Sequence, residues 1–414
     1  MFWVAVVLPP PLHTISIEIL FRRIDNMKRI LTLALALLMV FTLVACGETD
    51  KGAGDKTSGG GSVSTGGNDP VGDTPQPTTQ ADGFELALIT DLGTIDDKSF
   101  NQGAWEGLEM YAKEFDIPHK YFQPASQGDD AYLNAIDLAV KSGAKVVVTP
   151  GFLFEVPIFH AQDRYPDVKF VLLDGTPNNG DWDNFDSKIS PNTVAVHYAE
   201  EQSGFLAGYA AVLDGYTKLG FMGGMAVPAV IRFGHGFVQG AEVAAQELGL
   251  GDGSITLNYF YTGVFEASPD IQTRAAAWYN DGVEVIFSCG GGICASIFTA
   301  ANQSGGKVIG VDGDQSGDSP TVITSAMKML PKSVYDKVGD YYKGSFPGGQ
   351  EIIYAADNDG VGLPMANSKF NTFSQAQYDA VYAKLVNKSV VVDNNTEIKP
   401  TDLKTQAVIV NYLS

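Results

Sequence analysis

A polar turn after an apolar run holds the side chains of this 414-residue sequence best suited to bind a ligand. The run 84–90 has the length and composition of a buried strand, and the turn behind it carries Asp91, Asp97, Phe100 and Asn101. In open α/β proteins, ligands bind where the carboxyl ends of strands face the amino ends of helices. Carboxylates, an amide and an aromatic ring, with one lysine as counter-charge, suit a neutral, hydroxyl-rich ligand that contains a ring. They suit a phosphate poorly.

Strand-like and helix-like patterns alternate from residue 84 onward. Apolar residues at helical spacing over 99–115, with Ser99 as N-cap, predict a helix directly after the turn. Further strands are predicted at 145–149, 168–173, 218–222, 255–261, 283–288, 307–311 and 321–324, and further helices at 130–141, 199–213, 229–248, 269–280, 293–303 and 331–343. Such alternation predicts parallel sheets covered by helices on both faces, here an α/β protein of two doubly wound lobes. After residue 312 the chain is expected to cross between the lobes more than once.

The start of the chain has the features of an export signal. Lys28 and Arg29 precede an apolar run, 30–43, that is too short for a membrane span, and Leu43-Val-Ala-Cys46 has the form of a bacterial lipobox. We expect residues 1–45 to be a signal peptide, with Met27 as its true start, and Cys46 to be lipidated. An ordinary signal peptide with a chance cysteine is the alternative. Residues 46–83 are then the lipidated cysteine and a disordered tether, because Gly, Ser, Thr, Asp and Pro cannot form a core.

The charge of the mature chain limits its partners. Without the four basic and two acidic residues of 1–45, the chain keeps 23 basic and 46 acidic residues, a net charge near −23. Nucleic acid and anionic lipid need clusters of Lys and Arg, so neither is expected to bind. Cys289 and Cys294 flank a glycine run; two buried thiols are favoured over a local disulfide, and two thiols without a histidine pattern do not make a metal site.

Seven motifs follow one another in a characteristic order. They are Asp91-x-Gly-Thr-Ile-Asp-Asp-x-Ser-Phe-Asn-Gln, Gly220-Phe-Met-Gly-Gly, Val230-x-x-Phe-x-x-Gly-Phe-x-x-Gly-Ala, Tyr261-Thr-Gly-Val-Phe, Gly290-Gly-Gly, Ile309-Gly-Val-Asp-x-Asp-Gln and Thr324-Ser-Ala-Met-Lys. Behind a lipobox, this order resembles the basic membrane protein family of lipoproteins, the purine-nucleoside-binding components of ABC transporters. The resemblance covers residues 84–390.

The resemblance implies a type I periplasmic-binding-protein fold, with two α/β lobes, a three-stranded hinge and a nucleoside enclosed between the lobes. The N-terminal lobe is expected to comprise 84–197 and 312–345, and the C-terminal lobe 198–311 and 346–414. It also implies an ABC permease as partner, a location on the outer face of the cell membrane, and a monomer that has no cofactor and is not an enzyme. Guanosine, inosine and adenosine are all open as ligands.

The resemblance also implies roles for single residues. Phe100 and Phe265 stack on the two faces of the base, and Asp91, Asp97 and Asn101 line the cleft. The remaining roles go to Asp174, which bonds the base edge, Asp312, which accepts from the ribose hydroxyls, Lys328, which lies nearby, and Gly290 and Gly291, which give backbone contacts.

Other interpretations of these residues are open. Phe100 fits a helix core, Asp96 and Asp97 fit helix caps, Lys328 fits a surface position, and Phe233 and Phe237 fit the core better than the cleft. Residues 312–318 have the early spacing of a calcium loop but follow a strand and lack the final glutamate. A nucleoside hydrolase using the carboxylates near Asp91, and a ligand-sensing lobe for a membrane signalling partner, are the alternatives in function.

Overall fold

The alternating strands and helices form two sheets in a computed structural model that describes residues 83–91 and 93–413. The strands are β1 (Leu86–Ile89), β2 (His119–Phe122), β3 (Val146–Pro150), β4 (Lys169–Leu173), β5 (Thr193–Tyr198), β6 (Lys218–Gly223), β7 (Ile255–Tyr261), β8 (Val285–Cys289), β9 (Lys307–Asp312), β10 (Val322–Lys328), β11 (Gln350–Tyr354), β12 (Val361–Gly362) and β13 (Val408–Leu413). The α-helices are α1 (Phe100–Glu114), α2 (Asp129–Lys141), α3 (Glu155–Arg164), α4 (Glu200–Leu213), α5 (Pro228–Glu247), α6 (Pro269–Asn280), α7 (Ile293–Ser304), α8 (Leu330–Tyr342) and α9 (Gln375–Val386). The expected signal peptide, Cys46 and the tether lie outside the described residues.

The first sheet has the strand order β11-β5-β4-β3-β1-β2, and all of its neighbouring strands run parallel. Helices α2 and α3 contact each other over one face of the sheet, whereas α1 and α8 pack together over the other. Because both faces are covered, the central strands are mostly apolar, and every residue of Val146–Pro150 is buried, including Thr149.

The second sheet has the order β12-β10-β9-β8-β6-β7-β13, parallel except where β12 pairs with β10. Helix α4 packs along α5, and α6 packs along α7. The orders β2-β1-β3-β4-β5 and β7-β6-β8-β9-β10 are the same, which reveals a repeat that residue identities do not show. The prediction of two doubly wound α/β lobes is confirmed.

Within the described residues, the chain crosses between the sheets after β5, after β10 and after β11. The crossings bond to one another, since Ala199 donates its backbone N–H to Tyr354 (2.9 Å) and Met329 donates to Gly360 (2.9 Å). Multiple crossings were predicted, but sheet membership differs from the expected lobe division. Strand β10 pairs with β9 in the second sheet, and β11 pairs with β5 in the first. We therefore propose 84–198 plus 330–354 as the first lobe and 199–328 plus 361–413 as the second.

Each strand and helix predicted from the sequence is found in the structure. The elements that prediction missed include β2, β11 and β13, which lie at sheet edges, and the interior strand β5. An edge strand is half exposed and therefore has a weaker apolar pattern, as the partly exposed residues of β2 and β11 illustrate. In the described part of the chain, no helix combines the length and the apolar character that a membrane crossing requires.

Candidate functional site: a buried ionic cluster between the two sheets

Several predicted site residues lie where strands of the two sheets end. Asp174 directly follows β4, Asp312 ends β9, Lys328 ends β10 and Phe100 begins α1. Asp174 and Asp312 occupy equivalent positions in the two repeats, and both have left-handed backbone, with φ of 53° and 65°. This conformation is strained for most residues with a side chain, although aspartate tolerates it better than most. Such strain is concentrated at functional sites, so the two carboxylates mark this edge as a candidate site.

The side chains of Asp174, Glu200, Arg232, Asp312 and Lys328 form what we call the ionic cluster. Lys328 is only 3% exposed; its Nζ contacts Asp174 Oδ2 and lies 3.1 Å from Glu200 Oε1 and 4.0 Å from Asp312 Oδ1. Arg232 Nε donates to Glu200 Oε2 at 2.6 Å. The structure therefore brings Asp174, Asp312 and Lys328 together, and the alternative that Lys328 lies on the surface is wrong.

Three aromatic rings surround the ammonium group of Lys328. Its Nζ lies 4.8 Å from the ring centroid of Phe100, 5.3 Å from Tyr198 and 5.4 Å from Phe233. A cation at these distances is attracted to the ring quadrupole. Phe100 is half-buried and also packs against the hydrophobic core, whereas Phe233 and Phe237 are buried as expected for core residues. Phe100 thus combines a core contact with a position beside the cluster.

The cluster contains three carboxylates and two cations, so one carboxylate lacks a full counter-charge. Burial favours the neutral form of Glu200, but Lys328 and Arg232 outweigh it and lower the pKa of Glu200 to about 2. Burial outweighs Lys328 at Asp174 and raises its pKa to about 7, and burial also raises the pKa of Asp312. Burial opposes the charge of Lys328, yet the surrounding carboxylates raise its pKa above the usual lysine value.

Two buried carboxylate oxygens of the cluster, Asp174 Oδ1 and Glu200 Oε1, have no hydrogen-bond partner among the described residues, although Glu200 Oε1 lies 3.1 Å from Lys328 Nζ. Buried acceptors in native proteins are almost always satisfied, and leaving a charged one unpaired is costly. A bound ligand that donates a hydrogen bond would satisfy Asp174 Oδ1.

The turn before α1 is held by carboxylates of its own. Asp97 accepts from the backbone N–H of Ser99 (2.9 Å), Asn101 (3.0 Å) and Gln102 (3.1 Å), and from Asn101 Nδ2 (2.9 Å). Asn101 Nδ2 also donates to Asp91 Oδ1 at 2.9 Å. Asp91, Asp97 and Asn101 therefore lie together in this turn, and Asp97 caps the helix.

Ser99 lies at the predicted N-cap position, but the prediction that its side chain caps α1 is wrong. Within the described residues its hydroxyl makes no cap bond, and Ser99 Oγ donates instead to Asp312 Oδ2 of the second sheet. Asp97 takes over the capping because two carboxylate oxygens accept more N–H groups than one hydroxyl. Beside this contact, Gln315 Nε2 donates to the carbonyl of Lys98 at 2.8 Å. The turn before α1 is thus bonded to the carboxyl end of β9.

Phe265, Gly290 and Gly291 lie just beyond the carboxyl ends of β7 and β8. A Cβ atom added at Gly224 would lie 2.5 Å from the ring of Phe265, and one added at Gly290 would lie 2.8 Å from the backbone nitrogen of Gly224. Gly291 has φ of +54°. Glycine at 290 is therefore required by a close backbone approach, at the point where the strand order of the second sheet reverses. Ligands bind at such points in doubly wound folds.

The two cysteines that flank this glycine run, Cys289 and Cys294, are both buried and free. Burial raises the pKa of each thiol, to about 12 for Cys294, whose sulfur accepts a hydrogen bond from Ser288 Oγ at 3.0 Å. The prediction of two buried thiols is confirmed. Across the residues that the structure describes, no three His, Cys, Asp or Glu side chains are grouped to hold a metal ion.

A cavity of about 760 Å³ reaches the cluster from outside. Asp312 and Lys328 line it, together with Met327, Met329 and Tyr335. The volume lies within the range of pockets that bind small molecules. Of the ionic cluster, Asp312 and Lys328 are therefore the residues that a small ligand in this cavity would contact.

Glu201 follows Glu200 on α4 and is only 6% exposed; its Oε2 has no hydrogen-bond partner among the side chains described. Burial, and then the charge of Glu200, raise the pKa of Glu201 from 4.5 to about 7. Because the folded-state pKa is raised, the stabilising contribution of the neutral carboxyl is complete below the unfolded-state pKa and is lost as the pH rises through about 7.

We therefore expect the free energy of unfolding of Glu201→Gln at pH 8 to exceed that of wild type. The difference between variant and wild type should be on the order of 2 kcal/mol larger at pH 8 than at pH 4.5. Urea unfolding at the two pH values measures the difference. Glu266→Gln, at an exposed position, is the control and should leave the pH dependence unchanged. Equal pH dependence in wild type and Glu201→Gln would contradict this assignment.

Sequence reasoning missed Glu200, Arg232 and Tyr198. One signal for Glu200 was available: residues 200 and 201 are consecutive acids, and the remainder of α4, 202–213, contains no charged residue. Charges at the start of an otherwise apolar helix either interact with its dipole or are paired in the interior. For Arg232 and Tyr198 we find no comparable sequence signal.

Most of the chain is similar in sequence to known proteins. The family model described as ABC transporter substrate-binding protein PnrA-like matches residues 84–396. The chain is 31% identical over 308 residues to the ABC transporter nucleoside-binding protein BmpA of Lactococcus lactis subsp. cremoris, a match that covers 69% of this chain and 82% of that protein. It is 30% identical over 322 residues to basic membrane protein A of Borreliella burgdorferi, covering 76% of this chain and 88% of that protein.

Among solved structures, an ABC transporter solute-binding protein from Aeropyrum pernix K1 matches with a TM-score of 0.65 and 21% identity, over 76% of this chain and 95% of that one. A solute-binding protein from Conexibacter woesei DSM 14684 matches with a TM-score of 0.59 and 23% identity, over 75% of this chain and 99% of that one. At these identities the likeness shows the fold alone. It confirms the predicted type I periplasmic-binding-protein fold.

Proposed function

Because the chain belongs to the PnrA-like family of ABC transporter substrate-binding proteins, we propose that it captures purine nucleosides outside the cell and delivers them to an ABC permease. It does so as a protein anchored to the outer face of the cell membrane by a lipid on Cys46. Binding involves no catalysis, because the ligand is only enclosed and released. Closure of the two lobes around the ligand produces the form that the permease recognises.

The observation that carries the proposal is the ionic cluster between the two sheets. Lys328 and Asp174 come from different sheets, and their side chains are only 3% and 9% exposed. No donor among the described residues bonds to Asp174 Oδ1. Phe100 adds an aromatic face beside the cluster. Buried carboxylates accept hydrogen bonds from sugar hydroxyls or base N–H groups, and an aromatic face stacks on a base. A nucleoside is a neutral ligand that offers all of these groups.

A thermal-shift screen of nucleosides, free bases, sugars and nucleoside monophosphates tests the function. Purine nucleosides are expected to raise the melting temperature strongly, since a ligand that binds only the folded state stabilises it. Free bases and ribose should do so weakly, and monophosphates poorly because their charge would meet carboxylates. Nucleosides recovered unchanged after incubation separate binding from hydrolysis. Selective stabilisation by a peptide, a metal ion or a monosaccharide would refute the proposal.

Loss of the aromatic face should weaken binding. We expect Phe100→Ala to lower guanosine affinity by about 1–3 kcal/mol, the usual value of one base–aromatic contact. Phe115, just beyond the far end of α1 and exposed, provides the control, and Phe115→Ala should bind as wild type. Isothermal titration calorimetry measures both. Unchanged affinity in Phe100→Ala would remove the stacking role and leave Phe100 as a core residue.

A further inference from the structure

Glu200 occupies an unusual position for a fully buried acid. It is the first residue of α4, directly after the chain has crossed from β5, and it is 0% exposed. Its two oxygens serve different cations: Oε2 accepts from Arg232 Nε at 2.6 Å, and Oε1 lies 3.1 Å from Lys328 Nζ. Arg232 lies on α5 and Lys328 ends β10, so all three charges belong to elements of the second lobe.

The same lysine continues the row of charges into the first lobe. Lys328 Nζ donates to Asp174 Oδ2, which lies just beyond β4. Arg232, Glu200, Lys328 and Asp174 therefore alternate in sign from α5 to the first sheet. A lysine side chain has four rotatable carbon–carbon bonds and therefore many rotamers. The backbone at the end of β10 alone does not fix the position of the Lys328 ammonium group.

We propose that Glu200, braced by Arg232, is a positioning residue that holds the Lys328 ammonium on the second-lobe wall of the cleft. From that place Lys328 pairs with Asp174 when the lobes close on the ligand. Arg232 occupies Oε2 of Glu200, so the glutamate offers the Lys328 ammonium one carboxylate oxygen, Oε1, at an ion-pair distance of 3.1 Å. The nature of the ligand rests on the function proposed above, whereas the placement of Lys328 does not.

The competing interpretation is that Glu200 only balances the buried charge of Arg232. Glu200→Gln alone does not separate the two, because it leaves Arg232 without its partner and is expected to impair folding. The double variant Glu200→Gln/Arg232→Gln removes both charges at once. Positioning predicts guanosine affinity at least tenfold below wild type in the double variant. Mere charge balance predicts wild-type affinity, and that result would overturn the proposal.

Two further variants complete the binding experiment. Glu200→Asp keeps the charge beside Arg232 but is one methylene shorter, so it cannot reach both cations, and affinity is again expected to fall. Glu201→Gln alters the neighbouring buried glutamate and should bind guanosine within twofold of wild type at pH 8. Equal losses in Glu200→Asp and Glu201→Gln would assign the effect to packing at the start of α4 and refute positioning.

A measurement without ligand keeps this inference distinct from the proposed function. In protein labelled with 13C at lysine Cε, the Lys328 signal is identified by its loss in Lys328→Met. The carboxylates around it should keep this signal in the ammonium form to pH 10 in wild type, whereas in the double variant it should begin to titrate below that pH. The same titration in both proteins would overturn the inference. Failure of wild type to bind nucleosides would refute only the proposed function.

Discussion

Replacing Lys328 by methionine is expected to lower the free energy of unfolding at pH 8 by about 3–5 kcal/mol, the usual cost of removing one partner from a buried ion pair. The lysine is 3% exposed and lies among the carboxylates of Asp174, Glu200 and Asp312, each of which would lose a counter-charge. Guanosine binding should be lost together with the contact between Lys328 and Asp174, one of the links between the two sheets. Urea unfolding and calorimetry measure the two effects.

The pH dependence of this loss follows from the carboxylates. Lys328 is the group that most lowers the pKa of Asp174 against burial, so its removal raises that pKa further. A carboxyl with a raised folded-state pKa loses its stabilising contribution as the pH rises through that value. The difference between wild type and Lys328→Met should therefore be smaller at pH 5 than at pH 8.

Lys332→Met is the matched control, because Lys332 pairs with Asp336 at an exposed position of α8. Its effect on unfolding should stay within about 1 kcal/mol at both pH values. If Lys328→Met destabilised the protein no more than Lys332→Met, the ion pairs of the ionic cluster would not stabilise the fold.

Replacing Asp312 by asparagine should weaken guanosine binding on the order of 100-fold, or ~2.7 kcal/mol. Asp312 is buried and has left-handed backbone, which asparagine also tolerates, so the variant tests the charge with little backbone cost. A carboxylate makes charge-assisted hydrogen bonds to ribose hydroxyls, and a neutral amide makes weaker ones. Calorimetry with guanosine and 2′-deoxyguanosine measures the change.

The 2′-hydroxyl of the ribose gives a more specific test of the role of Asp312. Wild type should bind 2′-deoxyguanosine at least tenfold more weakly than guanosine, ~1.4 kcal/mol, because a missing hydroxyl leaves a buried charge unpaired. Asp312→Asn should reduce that ratio, whereas Asp314→Asn, at an exposed position two residues later, should keep it. Equal affinity of wild type for both nucleosides would withdraw the ribose role of Asp312.

Contacts between the sheets suggest how binding and closure are coupled. Ser99 donates to Asp312, the residue to which we assign the ribose hydroxyls, and Lys328 donates to Asp174. Each contact joins the first sheet or its turn to the second. A ligand that bonds to the same carboxylates adds contacts from both lobes, and a conformational equilibrium shifts only by such differential affinity.

The sequence by itself determined most of the local elements and the family, because both are recorded in short stretches of residues. Apolar periodicity located the strand at 84–90 and the helix at 99–115, and ordered motifs identified the binding-protein fold. The turn network of Asp91, Asp97 and Asn101 was also predictable, since its members lie within eleven residues of one another.

Only the tertiary structure decided sheet membership and charge pairing. Lys328 and Asp174 are 154 residues apart, and Arg232 meets Glu200 across 32 residues, so no local pattern records either contact. A strand signal likewise does not specify which sheet a strand joins, which is why β10 and β11 departed from the expected lobe division. Burial of a charge depends on all the elements that pack around it, and that packing exists only in the folded chain.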